Sequence, residues 1–202
     1  MSRLLRPALA LVAGLTAAIL LIRARPFQAE TIRAFLQAPP GCPAPCWQGI
    51  RPDVTDLDTA RRLLRANPWI ENLDERFHLG NSNGWLTWRW SGAQPPLNAR
   101  SGYDSLGVSF NTVKSISIQT RIRFGELWLA LGPPDWWKRT LDEDTLHLES
   151  AWLGESFLAR LELPCRAHSA ELWSATVTLL WVNGIPANGG DGPPAALPRC
   201  DF

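Results

Sequence analysis

The chain has 202 residues, a net charge of +1 and 46% hydrophobic residues, a size that suits one or two small domains. The hydrophobic content excludes general disorder, and the near-neutral charge excludes the strong positive field of a nucleic-acid-binding protein. Eleven tryptophans stand against one tyrosine. We expect most of the indoles in the core, because each can bury roughly 200 Å².

The first predicted element is an N-terminal membrane anchor at residues 1–26. An uncharged run of 16 residues follows Arg3 and Arg6 and ends at Arg23. As a helix it would be about 24 Å long against a hydrocarbon core of roughly 30 Å, and flanking arginines can reach the interface. No small-x-small cleavage site follows the run, which favours an uncleaved anchor. A cleaved signal peptide, giving a secreted protein, and a buried core helix are the alternatives.

The stretch GCPAPC, residues 41–46, contains the first two of four cysteines. Three residues separate Cys42 from Cys46, whereas redox motifs of the thioredoxin type have two, and a zinc site would need a second cysteine pair. The spacing therefore favours a structural disulfide, with Cys165 and Cys200 as the second bridge and crossed pairings still open. Disulfides indicate an oxidising compartment. We expect a single-pass protein of the cell membrane with its body outside the cytoplasm.

Two rounds of elements follow along the chain. In the first, Thr55 is the expected N-cap of a helix that ends at Asn67-Pro68. Alternating apolar residues then predict strands around 86–90, 108–110 and 113–120, with a turn at Asn111-Thr112.

The second round begins with an apolar stripe at helical spacing, formed by Phe124, Leu127, Trp128 and Leu131. Gly132-Pro133 ends this helix. Alternation predicts strands within 146–152, 157–163 and 173–181.

A shift of 67 positions lays the first helix on the second, with Leu57 on Phe124 and Leu64 on Leu131. The sequence thus predicts an α+β fold in which the anchor precedes two tandem units, each a helix packed on an antiparallel sheet. The first unit would cover 27–120 and the second 121–183, with a C-terminal tail at 184–202. The alternative is that any two amphipathic helices would align this well.

The motifs LGPPD at 131–135 and IRPDVTDLDTARRLL at 50–64 carry a resemblance. A capped helix running into Leu-Gly-x-Pro resembles the SmpA/BamE-like outer-membrane lipoproteins and the β-lactamase-inhibitor-protein-like fold. The segment CPAPCWQGI at 42–50 also looks like a class of uncharacterised bacterial anchored proteins. The resemblance implies an exported α+β module that binds other proteins and has no catalytic residues.

The tryptophans are the candidate binding residues. Those that alternate in predicted strands are expected in the core, namely Trp88, Trp90, Trp173 and Trp181. Those at loop edges are expected to be partly exposed and to contact a ligand, namely Trp47, Trp85, Trp136 and Trp137. Exposed indoles anchor protein interfaces or stack on sugar rings.

Candidate chemistry is otherwise sparse. The three histidines are far apart, the acidic run at 142–144 lacks the alternation of a calcium loop, and no G-x-S-x-G motif occurs. We therefore expect no metal, no cofactor and no enzymatic activity. The predicted function is protein binding or scaffolding at the cell envelope, with a protein partner there. A binder of cell wall or carbohydrate that uses exposed tryptophans is the alternative.

Overall fold

The computed structural model describes residues 12–16, 29–77, 83–99, 104–142 and 144–185. A helical turn covers 12–16. The helices that follow are Ala29–Leu36 (α1), Leu57–Ala66 (α2), Phe124–Leu131 (α3) and Ser169–Ser174 (α4). The strands are Ile70–Phe77 (β1), Gly84–Trp90 (β2), Asp104–Ser109 (β3), Thr112–Arg123 (β4), Trp136–Asp142 (β5), Thr145–Trp152 (β6), Phe157–Pro164 (β7) and Thr176–Val182 (β8).

All eight strands lie in one antiparallel sheet, in the order β1-β2-β3-β4-β8-β7-β6-β5. The expectation of a separate sheet in each unit is therefore wrong. Strand β4 pairs with β8, from Ser115 opposite Val182 to Gln119 opposite Thr178. Had each set of four strands formed its own sheet, β4 and β8 would be edge strands with unpaired backbone groups, and the pairing removes both edges. Strand β4 also continues through the predicted boundary at 120/121.

The N-cap of helix α2 lies one residue after the expected cap, Thr55. The side chain of Asp56 accepts a hydrogen bond from the backbone N–H of Thr59 at 2.9 Å, so Asp56 is the N-cap. Thr55 is buried, and its hydroxyl oxygen accepts from the backbone N–H of Arg51 at 2.8 Å. The Thr55 hydroxyl is thus committed to the preceding loop rather than to the helix.

The core lies between one face of the sheet and the helices, because alternate residues of every central strand are buried on that side. Helix α2 contributes Leu57, Ala60 and Leu64, and α3 contributes Phe124 and Leu127. Helix α1, which falls in the predicted first unit, packs on α3 of the second. The Arg33 guanidinium donates to the carbonyl of Ala130 at 2.9 Å.

Aromatic rings link the two halves of this core. Trp47 stacks on Trp88 at 5.7 Å between ring centroids and lies 6.4 Å from Trp181. Trp181 is in turn 6.2 Å from Phe157, whose ring stacks on Trp152 at 5.6 Å. The core is therefore continuous across the β4–β8 junction.

Trp173 departs from its expected place in a strand and in the core. It lies on α4 and is 43% exposed. The carboxylate of Glu171 accepts from the backbone N–H of His168 at 2.7 Å, which starts the helix. A side chain at Gly125 would meet the carbonyl of Trp173 at 3.0 Å, so glycine allows α4 to approach α3 this closely.

Two predicted segments lie largely outside the described residues. These are the anchor at 1–26, of which the structure describes 12–16, and the tail at 184–202, of which it describes 184 and 185. Within the described part of the chain, no helix has the length and apolar character needed to cross a membrane.

Candidate interaction surface

The face of the sheet opposite the core carries none of the described helices. Its side chains can be followed along one row of paired residues that crosses all eight strands. In the order of the strands in the sheet, from β1 at one edge to β5 at the other, the row contains Asp74, Thr87, Ser105, Ser117, Leu180, Leu158, Ala151 and Trp136. The row is polar in the half formed by β1–β4 and apolar in the half formed by β5–β8.

The polar half presents an exposed tryptophan among charged residues. We call this surface the open face and define it by Asp74, Arg76, Trp85, Thr87 and Arg89. Trp85 is 49% exposed and pairs with Arg76 on one side and with Gly107 on the other. The Arg76 guanidinium lies 3.4 Å from the Asp74 carboxylate.

A cavity of about 360 Å³ lies on the open face, beside a bulge in β1. Asn72 sits in that bulge with a φ of 51°. The lining consists of Asn72, Asp74, Arg76, Thr87, Trp88 and Arg89. Both charge signs and an amide are therefore available within one concave surface.

The apolar part of this row is more buried than its polar part. Leu158 and Leu180 are half-buried, whereas Ala151 and Trp136 are buried apart from the main core. The indole nitrogen of Trp136 has no hydrogen-bond partner in the described part of the chain. Burial leaves this indole little surface with which to contact a ligand.

Three of the four tryptophans expected to be partly exposed are buried, so their predicted exposure is wrong. Trp47 is 2% exposed because paired backbone hydrogen bonds with Ile50, at 2.9 and 2.8 Å, turn its loop onto the core. Trp136 and Trp137 begin a strand rather than ending a loop, and are 7% and 1% exposed. Trp137 points to the helices, 5.4 Å from the ring of Phe124. Of the four, Trp85 retains its predicted exposure.

The tip of the β3–β4 hairpin was not predicted as a site. Phe110 and Asn111 form its turn with φ values of 50° and 60°, and Phe110 is 81% exposed. Asparagine tolerates this left-handed backbone, whereas phenylalanine is costly there. The alternation of Val108 and Phe110 suggested a strand, which shifted the expected turn by one residue to Asn111-Thr112. No sequence signal marks a phenylalanine in this turn, because the residues favoured in two-residue hairpin turns are asparagine, aspartate and glycine.

The first predicted disulfide is present. Cys42 and Cys46 are bonded, with their Cα atoms 6.0 Å apart. Cys165 is buried beyond the end of β7, and its predicted partner Cys200 lies outside the described residues. None of the three described cysteines is a free thiol.

Asp104 is the one described carboxylate that is fully buried. Burial raises its pKa to about 7, although hydrogen bonds from the backbone N–H of Gln119 and the indole N–H of Trp90 act in the opposite direction. Such shifts also occur at catalytic sites. Asp104 does not line the open-face cavity, however, so access for a substrate is lacking there.

The described residues contain no group of three histidine, cysteine or carboxylate side chains placed to hold a metal ion. His147 lies 3.7 Å from Glu162, as an isolated pair on neighbouring strands. His78 lies outside the described residues, as does Glu143 of the acidic run.

Comparison of the chain with protein-family models, with curated proteins and with solved structures finds no match.

Proposed function

We infer that this chain is a non-catalytic protein-binding module of the cell envelope, and that it contacts its partner through the open face. The observation that carries this proposal is the one-sided packing of the sheet. Helices bury one face, while Trp85 and its charged neighbours remain accessible on the other. A large indole beside two arginines is the composition enriched at the energetic centres of protein interfaces.

The distribution of exposed indoles favours a protein partner over a glycan. Binding along a polysaccharide would use several exposed rings in a row. Trp85 and Trp173 are the exposed tryptophans of the described residues, and they lie on opposite sides of the molecule. Mixed charges around Trp85 instead suit a polar, shape-dependent interface.

We propose further that the sheet consists of two tandem units. Helices α2 and α3 begin at Leu57 and Phe124, which align under the shift of 67 positions. Each of these helices precedes four strands of the sheet, and the two sets meet at β4 and β8. A duplicated unit would account for this mirrored strand order.

The cellular location is proposed from two features. The N-terminal run of apolar residues between arginines is typical of a membrane anchor. The Cys42–Cys46 disulfide is expected to persist in an oxidising compartment. Both features support a body held outside the cytoplasm.

The function can be tested by site-specific photo-crosslinking in intact cells. The full chain would carry p-benzoylphenylalanine in place of Trp85 or, as a matched control of similar exposure, Trp173. We expect one discrete protein adduct from position 85 and not from position 173, identified by mass spectrometry. The purified partner should then bind the wild-type chain and lose affinity for the double variant Arg76→Glu, Arg89→Glu. Adducts from position 173 alone, or an adduct with glycan, would contradict the proposal.

A further inference from the structure

Phe110 is the most exposed large apolar side chain of the described residues, at 81%. The backbone of the loop before α2 runs along the hairpin tip. The N–H of Leu57 donates to the carbonyl of Asn111 at 3.0 Å, and the N–H of Val113 donates to the carbonyl of Thr55 at 2.9 Å. Phe110 thus forms an apolar knob at the tip of the β3–β4 hairpin, with the start of α2 next to it.

The knob is held in place from several directions. The N–H of Asp53 donates to the carbonyl of Val113 at 2.7 Å, and the Asp53 carboxylate pairs with the ammonium of Lys114 at 2.7 Å. These contacts fix the turn in a left-handed backbone that is unfavourable for phenylalanine. A turn whose backbone is already ordered loses less conformational entropy on binding, which favours its use as an interface anchor.

The charges around the knob indicate what it binds. Asp53 is paired with Lys114, and Asp58 is paired with Arg61 at 2.6 Å. Asp56 accepts hydrogen bonds from Thr59, which lower its pKa, and no cation of the described residues forms an ion pair with it. A charged carboxylate therefore stands beside the apolar tip. It would be repelled by an anionic lipid surface and attracted by a basic protein surface.

We propose that Phe110 enters an apolar pocket of the protein partner, and that a basic side chain at the rim of this pocket meets Asp56, which is bridged to Thr112 beside the turn. The knob follows β3, a strand whose Gly107 pairs with Trp85 of the open face. This inference rests on the proposed function and adds to it the partner's chemistry and its point of deepest contact.

The test measures the affinity of the partner identified by crosslinking at position 85. Phe110→Asn should weaken binding by about 30-fold, as expected for a central aromatic anchor. The matched control Leu129→Asn changes an apolar residue that is 69% exposed on α3 and should alter affinity less than about twofold. Asp56→Asn retains the helix cap, and should weaken binding by about threefold and reduce its dependence on salt.

Phe110→Asn should melt no earlier than the wild type, because asparagine tolerates the left-handed turn. If Phe110→Asn melts at a lower temperature than the wild type, Phe110→Leu is used instead. Leucine keeps the knob apolar, but the affinity should still fall about tenfold in a pocket shaped for an aromatic ring.

Three results would overturn the inference. The first is that Phe110→Asn, or Phe110→Leu where it is used, binds the partner with wild-type affinity while the double variant Arg76→Glu, Arg89→Glu does not bind. In that case the proposed function would stand and the role of Phe110 would not. If both the tip and the open-face variants bind normally, the proposed function fails as well. The third is retention on vesicles of equal parts phosphatidylcholine and phosphatidylglycerol that depends on Phe110, because it would assign the knob to a membrane.

Discussion

The two halves of the sheet share their strand order but use the helix-free face differently. In the half formed by β1–β4 this face is polar and accessible, with Trp85 half-exposed. In the half formed by β5–β8 the row that continues from Thr87 is apolar, and Trp136 at its far end is buried. A charged row of Lys138, Glu149 and Arg160 lies beside it. Two tryptophans expected to be alike at loop edges thus have opposite exposure.

The interiors of the halves differ as well. Asp104 and Asn98 are buried in the first half. In the described residues of the second half, Ser150 is the buried polar side chain, and rings around Phe124 fill the space between α3 and the sheet. The first half thus buries a carboxylate and an amide and carries the exposed Trp85, whereas the described part of the second half buries a single polar side chain.

The largest expected effect tests whether the halves are one cooperative unit. Trp88→Ala in the first half and Trp137→Ala in the second should each reduce the free energy of unfolding by about 3–5 kcal/mol, because each removes a fully buried ring. Denaturant unfolding followed by circular dichroism and by fluorescence should give coincident transitions in both variants. Two separate transitions, with one shifted in each variant, would mean that the β4–β8 junction does not couple the halves.

Asp104 predicts a pH dependence that originates in the first half. Its folded pKa of about 7 lies above the value of 3.8 for an exposed aspartate. Its contribution to stability is therefore fully present below about pH 4 and is lost as the pH rises through about 7. We expect the free energy of unfolding to fall by about 2–3 kcal/mol between pH 5 and pH 8. Asp104→Asn should remove most of this fall, and an equal slope in both proteins would contradict the assignment.

The Cys42–Cys46 bridge should affect the first half by a smaller amount. It closes a short loop, for which the chain-entropy model gives about 2 kcal/mol. Cys42→Ser together with Cys46→Ser should lower the unfolding free energy by this amount. Because Trp47 follows the bridge and stacks on Trp88, near-ultraviolet circular dichroism should change too. An unchanged spectrum would show that Ile50 alone holds the loop.

The smallest expected effect concerns the start of α2, which supports the hairpin tip. Asp56→Ala removes the N-cap acceptor and should cost about 1 kcal/mol, whereas Asp56→Asn should cost a few tenths at most. Thermal melting of the two variants measures the difference. Equal losses would indicate that the charge of Asp56, rather than its hydrogen bond, stabilises the helix.

Local patterns in the sequence predicted the elements better than their assembly. The apolar stripe from Phe124 to Leu131 predicted α3 because a helix with one buried face has a fixed period. The pairing of β4 with β8 could not be predicted, since it joins strands that lie far apart in the sequence. Trp173 was wrongly predicted to lie in a strand because its spacing to Val177 matches the alternation of β8. The prediction did not consider Glu171, whose carboxylate caps α4.

Exposure of single side chains was harder still to predict. Trp136 and Trp137 follow two prolines, which suggests a loop, although both residues already belong to β5. Trp47 lies in a loop, and its burial depends on a local turn with Ile50 that has no periodic signature. Phe110 was assigned to a strand because it continues the alternation of Val108, although it is the first residue of the two-residue turn.

The central claim, that the partner occupies the helix-free face of the first half, is tested most directly by hydroxyl-radical footprinting of the complex. Trp85 and Trp173 report on opposite sides of the molecule and have similar exposure, at 49% and 43%. With the purified partner bound, oxidation of Trp85 should fall at least about threefold while oxidation of Trp173 is unchanged, since burial at an interface excludes solvent. Protection of Trp173 with unchanged oxidation of Trp85 would contradict the account.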